Sequence, residues 1–381
     1  MRDVGEGLFE VGERRGWKPV WLWGARGGIL LAASAMLASC SSGIIPAAAP
    51  STPVASRPVT PPQRIPQYDP RSQPSPALVR IIHDLGRNFN GDVGIAVQRV
   101  DADWVVEYNG RKLYPQQSVS KLWVAMTLFD TVDRGKLRLS DPTVIQRQDL
   151  TLFHQPLAAM VDADGYQTTL SDLLNRAMQQ SDNTANDKLL RTVGGPDAVR
   201  AFFGKNFIGN IRFGPGERLL QSAAAGLDWN QSYSVGRNFY AARANLPRSV
   251  REKALDRYLA DPPDGAAPVA IVGALAKLKR GDLLSPSSTR LLLAVMHEAK
   301  TGPQRIKGGV PPGWTYAHKT GTGQELAPRS TGYNDVGIMT APDGTSYAVA
   351  VMIGSTTQPI PRRWELMQAV SRAVAANHDR R

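Results

Sequence analysis

The sequence predicts an α+β domain, with one antiparallel sheet built from both ends of the domain, helices on its faces, and an all-helical lobe between. Strand-like runs occur at "VGIAVQRV" and "WVVEYNG" near the domain start, and again in "WTYAHKTGTG" and "NDVGIMTAPDGTSYAVAVMIG" near its end. The stretch between, from about residue 118 to 300, is dominated by helical patterns instead. Strands so far apart in sequence bury their apolar faces by joining in one sheet, and a cleft is then expected between sheet and lobe. The 381 residues are 42% hydrophobic, enough for a real core.

In order, "ALVRIIHDLGRNF" reads as a helix, followed by two strands joined through Asp101 to Asp103. Helical patterns follow in "SKLWVAMTLFDTVDRG", "LSDLLNRAMQQ", "SVREKALDRYLA" and "STRLLLAVMHEA". Three closing strands, the last two hairpinned at Asp343-Gly344, lead into the helix "RRWELMQAVSRAVA".

The N-terminal region is of another kind. Arg14, Arg15, Lys18 and Arg26 precede the apolar run "GGILLAASAML", which is too short to span a membrane comfortably and reads as an export signal. It ends in "LASC", which resembles the bacterial lipoprotein lipobox, and Cys40 is the only cysteine. That resemblance implies cleavage before Cys40, acylation there, and a periplasmic protein tied to a membrane by an N-terminal lipid anchor. Ten of the 28 prolines lie between Pro46 and Pro76, the composition of a semi-rigid tether. The expected organisation is a signal over 1–39, a tether over 40–76 and a compact domain over 77–381.

The formal charge is +12, yet basic and acidic residues are interspersed with no basic run and no nucleic-acid motif, so no nucleic-acid partner is expected. His83, His154, His297, His318 and His378 are far apart and form no HxH or HExxH pair, so no metal is expected.

Three short motifs carry the chemistry. Ser118 and Lys121 form SxxK, Ser181 to Asn183 form SDN, and Lys319 to Gly321 form KTG. Singly, each has a plainer meaning: a capped helix start, an N-cap cluster, a charged strand end. Residues three apart on a helix share a face, however, so the Ser118 hydroxyl lies within reach of the Lys121 amine.

In this order, and with neighbourhoods such as "MQQSDNTANDKLL", "GGPDAV" and "HKTGTG", the motifs resemble the penicilloyl-serine transferases, most closely the class A β-lactamases. The resemblance covers roughly residues 77 to 377. It implies a cofactor-free monomer acting on a small β-lactam or a D-alanyl peptide. Ser118 would be the nucleophile and Lys121 its base, made neutral by burial and by the nearby Lys319. Ser181 would pass a proton to the leaving nitrogen, and Asn183 would hold Lys121 and the substrate amide. Lys319 and Thr320 would bind a substrate carboxylate, and Gly321 would let the strand edge approach closely. The N–H groups of Ser118 and Thr322 would form an oxyanion hole.

A β-lactamase also needs a base that aims water at the acyl-enzyme. The family's ExxLN segment is matched by "GERLLQ", with Glu217 lying 36 residues after Ser181 and Gln221 in place of asparagine. Gln221 is expected to help hold the water, a task asparagine would serve at least as well. From Ser181 to Lys319 the chain runs 138 residues, longer than the family's interval, so an insertion is expected within 222–265. Arg329 is a candidate to assist carboxylate binding. Two alternatives stand beside the β-lactamase: a D-alanyl-D-alanine peptidase on the same fold, and a non-catalytic lipoprotein that binds cell wall.

Overall fold

The computed structural model describes residues 73–378. The export signal, Cys40 and most of the tether lie outside the described residues. Ser75 caps α1 (Pro76–Asn88), its hydroxyl accepting the Ala77 amide at 3.2 Å, and Pro76 takes the first helical position, where a missing N–H costs nothing. There follow β1 (Gly91–Arg99), β2 (Val105–Tyr108), β3 (Tyr114–Pro115), a 3₁₀ turn (Gln117–Ser120) and α2 (Lys121–Asp133). Next come β4 (Pro142–Ile145), β5 (Tyr166–Thr169), α3 (Leu170–Asn175), a π-helical turn (Arg176–Gln180), α4 (Asn183–Thr192) and α5 (Gly195–Lys205). Then α6 (Glu217–Ala225), α7 (Asn238–Asn245), α8 (Arg248–Ala260), β6 (Gly265–Ala266), α9 (Pro268–Arg280) and α10 (Pro286–His297) complete the middle. The chain closes with β7 (Thr315–Gly321), β8 (Glu325–Leu326), β9 (Arg329–Thr340), β10 (Ser346–Thr356) and α11 (Ile360–Ala376).

The main sheet runs β2-β1-β10-β9-β7, antiparallel throughout, with β8 also paired to β9. N-terminal β1 therefore lies against C-terminal β10, and the two ends of the domain share one sheet. Period-two alternation assigns the faces. Val93, Ile95 and Val97 of β1 join Val349, Val351 and Ile353 of β10 in a core with α1 and α11. Ala96, Ala348, Ala350 and Met352 face the other way, into the core shared with the helical lobe. Helices α2 and α9 are buried around most of their circumference, so their sequences show little amphipathic stripe. β9 begins at Arg329, well before the "NDVGI" that marks it in sequence, and the two-stranded pairs β3–β6 and β4–β5 carry no sequence signal of their own.

Residues 222–265 hold the end of α6, then α7 and α8. Leu220 and Ala224 of α6 pack with Leu255 and Tyr258 of α8 and with Leu326 of β8. On the other side, Phe239 meets Phe153 with ring centroids 4.8 Å apart, in a cluster with Trp229 and Tyr233. Arg243 and Arg248 donate to the carbonyls of Glu325 and Ala327 at 2.6 and 2.8 Å. The segment thus braces α6 against both the 151–154 loop and the β8 turn.

Candidate active site

Ser118 sits in the 3₁₀ turn that opens α2, partly exposed, and Lys121 one turn on is fully buried. The Lys121 ammonium donates to Ser118 Oγ at 2.9 Å and also contacts the Glu217 carboxylate. The strand edge holds the Ser118 turn from behind. Asn334 on β9 donates to the carbonyls of Pro115 and Gln116 at 2.7 and 3.0 Å, and the Gln116 amide donates to the carbonyls of Arg212 and Asp264. Gln117 takes a left-handed φ of 53°, a strained state that these neighbours hold immediately before the serine. Gly321 explains itself here: a Cβ would lie 2.3 Å from the Gln116 carbonyl oxygen, so the glycine makes room for the backbone that leads into Ser118.

Ser181 is nearly buried and left-handed at φ 63°, at the exit of the π turn. Asp182 caps α4, accepting the amides of Ala185 at 2.9 Å and Leu157 at 2.7 Å. The capping reading of this triplet and its polar placement therefore coexist. The Asn183 side chain donates to the Leu152 carbonyl at 2.9 Å; a contact from it to Lys121 is not among the hydrogen bonds of the site.

Lys319 comes from edge strand β7 and donates to Ser181 Oγ at 2.9 Å. Burial above all, then the cations Lys121 and Arg305, holds its ammonium well below the ordinary lysine range. Lys121 itself touches the Glu217 carboxylate, while Lys319 lies near enough to feel its charge. Thr320 shares a hydrogen bond of 2.7 Å with Thr301, and Thr322 Oγ1 accepts from Arg305 at 2.5 Å. Arg305 also donates to the carbonyls of Gly321 and Asn334 and lies over the Tyr333 ring. Arg329 is held elsewhere by Asp256 at 2.7 Å, so the arginine beside the KTG strand is Arg305. No spacing in the sequence marks Arg305, because it precedes the strand in a turn and reaches the site only through the fold.

Glu217 is the first residue of α6 and is buried. Its amide donates to Asp187 at 3.1 Å. Burial, then the charge of Glu217, raises Asp187 from the ordinary 3.8 to about 6. Gln221 lies one turn along α6 and donates to Glu217 Oε2 at 3.2 Å and to Gln117 Oε1 at 2.8 Å, while its own Oε1 faces the Gln324 amide at 3.3 Å. Asp187, Gln117 and Gln324 were not singled out by motif; only Asp187 had a signal, lying four residues after Asn183 on one face of α4. Among the described residues there is no group of three or more His, Cys, Asp or Glu arranged to hold a metal.

A serine hydrogen-bonded to a buried lysine, which in turn meets a buried carboxylate, on a sheet edge facing a helical lobe, defines a hydrolase of the acyl-enzyme-forming serine class. The chain matches the model of the β-lactamase enzyme family over residues 77–378. It is 30% identical over 288 residues to the extended-spectrum β-lactamase PER-1 of Pseudomonas aeruginosa, covering 75% of this chain and 82% of that one. It is 26% identical to β-lactamase VEB-1 of the same organism, over 73% of this chain and 82% of the other. The crystal structure of the TLA-1 extended-spectrum β-lactamase superposes with a TM-score of 0.66 at 25% identity, over 80% of this chain and 99% of that one. The chain belongs to the β-lactamase enzyme family, on the class A side of the penicilloyl-serine superfamily.

Proposed function

We propose that this enzyme opens β-lactam rings through an ester on Ser118 and releases the product with water activated by Glu217. Lys121, as the free amine, removes the serine proton. Ser118 Oγ then adds to the lactam carbonyl carbon, and the N–H groups of Ser118 and Thr322 stabilise the oxyanion. The C–N bond breaks, and the leaving nitrogen takes the proton that Lys121 gained, passed on through Ser181, whose hydroxyl Lys319 holds. Lys319, Thr320 and Thr322, the last gripped by Arg305, receive the substrate carboxylate, and Asn183 receives its side-chain amide. Glu217 next takes a proton from water, the hydroxide adds to the ester carbon, and Ser118 leaves with its proton restored. The observation that supports this most is the Lys121 ammonium, which reaches both Ser118 Oγ and the Glu217 carboxylate.

Turnover of a chromogenic cephalosporin by the purified protein, lost in Ser118→Ala together with labelling by a fluorescent penicillin, tests this. Labelling that persists in a folded Ser118→Ala protein would place the nucleophile elsewhere.

We also propose that the protein is an exported monomer, lipid-anchored at Cys40 and acting in the periplasm. What supports this is the sole cysteine at the end of "LASC", after an apolar run of signal length. A fatty-acid probe should label the full chain and not Cys40→Ala; equal labelling and membrane retention of the variant would dismiss the anchor.

A further inference from the structure

Tyr258 belongs to α8, within the segment expected as an insertion, yet its hydroxyl ends beside the nucleophile's backbone. It is buried and donates to Asp264, at 3.0 Å to Oδ1 and 3.2 Å to Oδ2. The side-chain amide of Gln117, the residue before Ser118, donates to the same hydroxyl at 2.6 Å, and the Gln117 backbone N–H donates to Asp264 Oδ2 at 2.8 Å. Gln117 Oε1 then accepts from Gln221, which also donates to Glu217 Oε2. Asp264, Tyr258, Gln117, Gln221 and Glu217 form one buried chain of hydrogen bonds.

The direction of that chain is forced. A phenol has one proton, and the Asp264 carboxylate at its far end accepts it, so the phenol oxygen must accept from Gln117. Gln117 therefore presents NH₂ to Tyr258 and its oxygen to Gln221. Gln221 must then present NH₂ towards both Gln117 and Glu217, the orientation that its contact with the Gln324 amide also requires. Without the phenol, the Gln117 amide loses its acceptor and the reason to keep one orientation. Turned over, it would set NH₂ against NH₂ at Gln221, and a Gln221 that followed would set its oxygen against the Glu217 carboxylate. A buried polar chain that is satisfied in one polarity only is a strong orienting device, and breaking it at one end propagates.

We infer that Tyr258 is a positioning residue for deacylation: acting through Gln117 and Gln221, it fixes the Glu217 carboxylate that activates water. The inference rests on the function proposed above. It assigns the α7–α8 segment a part in the second half of the reaction, since the chain ends on Glu217 Oε2 while Lys121, the base for the first half, meets Oε1.

The test uses the full-length protein and a penicillin, following acylation by rapid-quench mass spectrometry and turnover at steady state. Tyr258→Phe keeps the ring in its apolar cluster with Leu255 and Leu326 and removes only the hydroxyl. Acylation should stay within about twofold of the parent while kcat falls tenfold or more, with the penicilloyl adduct dominant at steady state and KM lowered in step. Arg248→Ala, which removes an exposed tie between α8 and the β8 turn, should leave this ratio unchanged. If Tyr258→Phe does not accumulate folded, Tyr258→Met fills the space without a donor and should give the same split. A folded Tyr258 variant with parental kcat and no adduct overturns the inference, as does the same selective defect in Arg248→Ala, because packing alone would then explain it. A parent that forms no adduct and turns over no substrate overturns the proposed function and this inference together, so the two failures are distinguishable.

Discussion

Gln221 shows how one methylene can matter at the residue scale. By family likeness, asparagine would serve here at least as well if the side chain only held a water. In the structure the glutamine has two further partners, Gln117 at 2.8 Å and Gln324 at 3.3 Å, and it reaches Gln117 across the space between α6 and the nucleophile turn. Asparagine is shorter by one methylene and cannot keep both Glu217 and Gln117, and small displacements of catalytic groups are costly. Gln221→Asn should therefore lower kcat by about tenfold or more, read by steady-state turnover of the cephalosporin. Parental or higher turnover would mean that the contact with Gln117 is incidental.

At the element scale, what could be read from sequence was what short range decides. The serine–lysine pair is an i,i+3 contact, so its geometry follows from any helical turn, and Lys121 Nζ indeed lies 2.9 Å from Ser118 Oγ. The order of strands and helices followed from period, and it correctly brought the two ends of the domain into one sheet. Helix α9 escaped because it is apolar on nearly every side, and β8 because a two-residue strand has no period at all. The site's remaining parts depend on crossings between distant elements. Nothing local separates Arg305, a turn arginine that folds onto Thr322, from Arg329, a strand arginine that pairs with Asp256. Tyr258 reads as one more apolar-face residue of α8, and its use becomes visible only when that helix lies against Asp264 and Gln117.

The whole molecule carries the electrostatic cost of this site. Asp187 and Asp264 are both enclosed, and burial raises each from the ordinary 3.8 to about 6. A carboxyl raised on folding binds its proton more tightly in the folded state, so its contribution to stability is full below about pH 4 and is lost as pH rises through 6. Taking the protein from pH 7.5 to pH 5 should thus stabilise it by on the order of 1 kcal/mol from each group. Asp149, Asp172 and Asp343 lie below their ordinary range through their hydrogen-bonding and charged partners, and they withdraw stability only further down, below about pH 4. His154, which burial holds below the ordinary imidazole value, works the other way over the same range, so the contrast between proteins is the readout: the change in thermal midpoint from pH 7.5 to pH 5 should be more favourable in the parent than in Asp187→Asn with Asp264→Asn. The same pH dependence in the parent and the double variant would contradict this.

What separates a β-lactamase from a slow acyl-acceptor on the same scaffold is deacylation, and in the proposed function Glu217 is the group on which it turns. Intact-mass spectrometry of the parent and of Glu217→Gln, sampled over time after mixing with a penicillin, reads that step directly. The parent should be mostly free enzyme once substrate is consumed, whereas the variant should hold a lasting penicilloyl adduct on Ser118, because a neutral amide cannot take a proton from water. A parent that itself accumulates the adduct, with Glu217→Gln changing nothing, would contradict the account and mark the protein as a penicillin-binding peptidase.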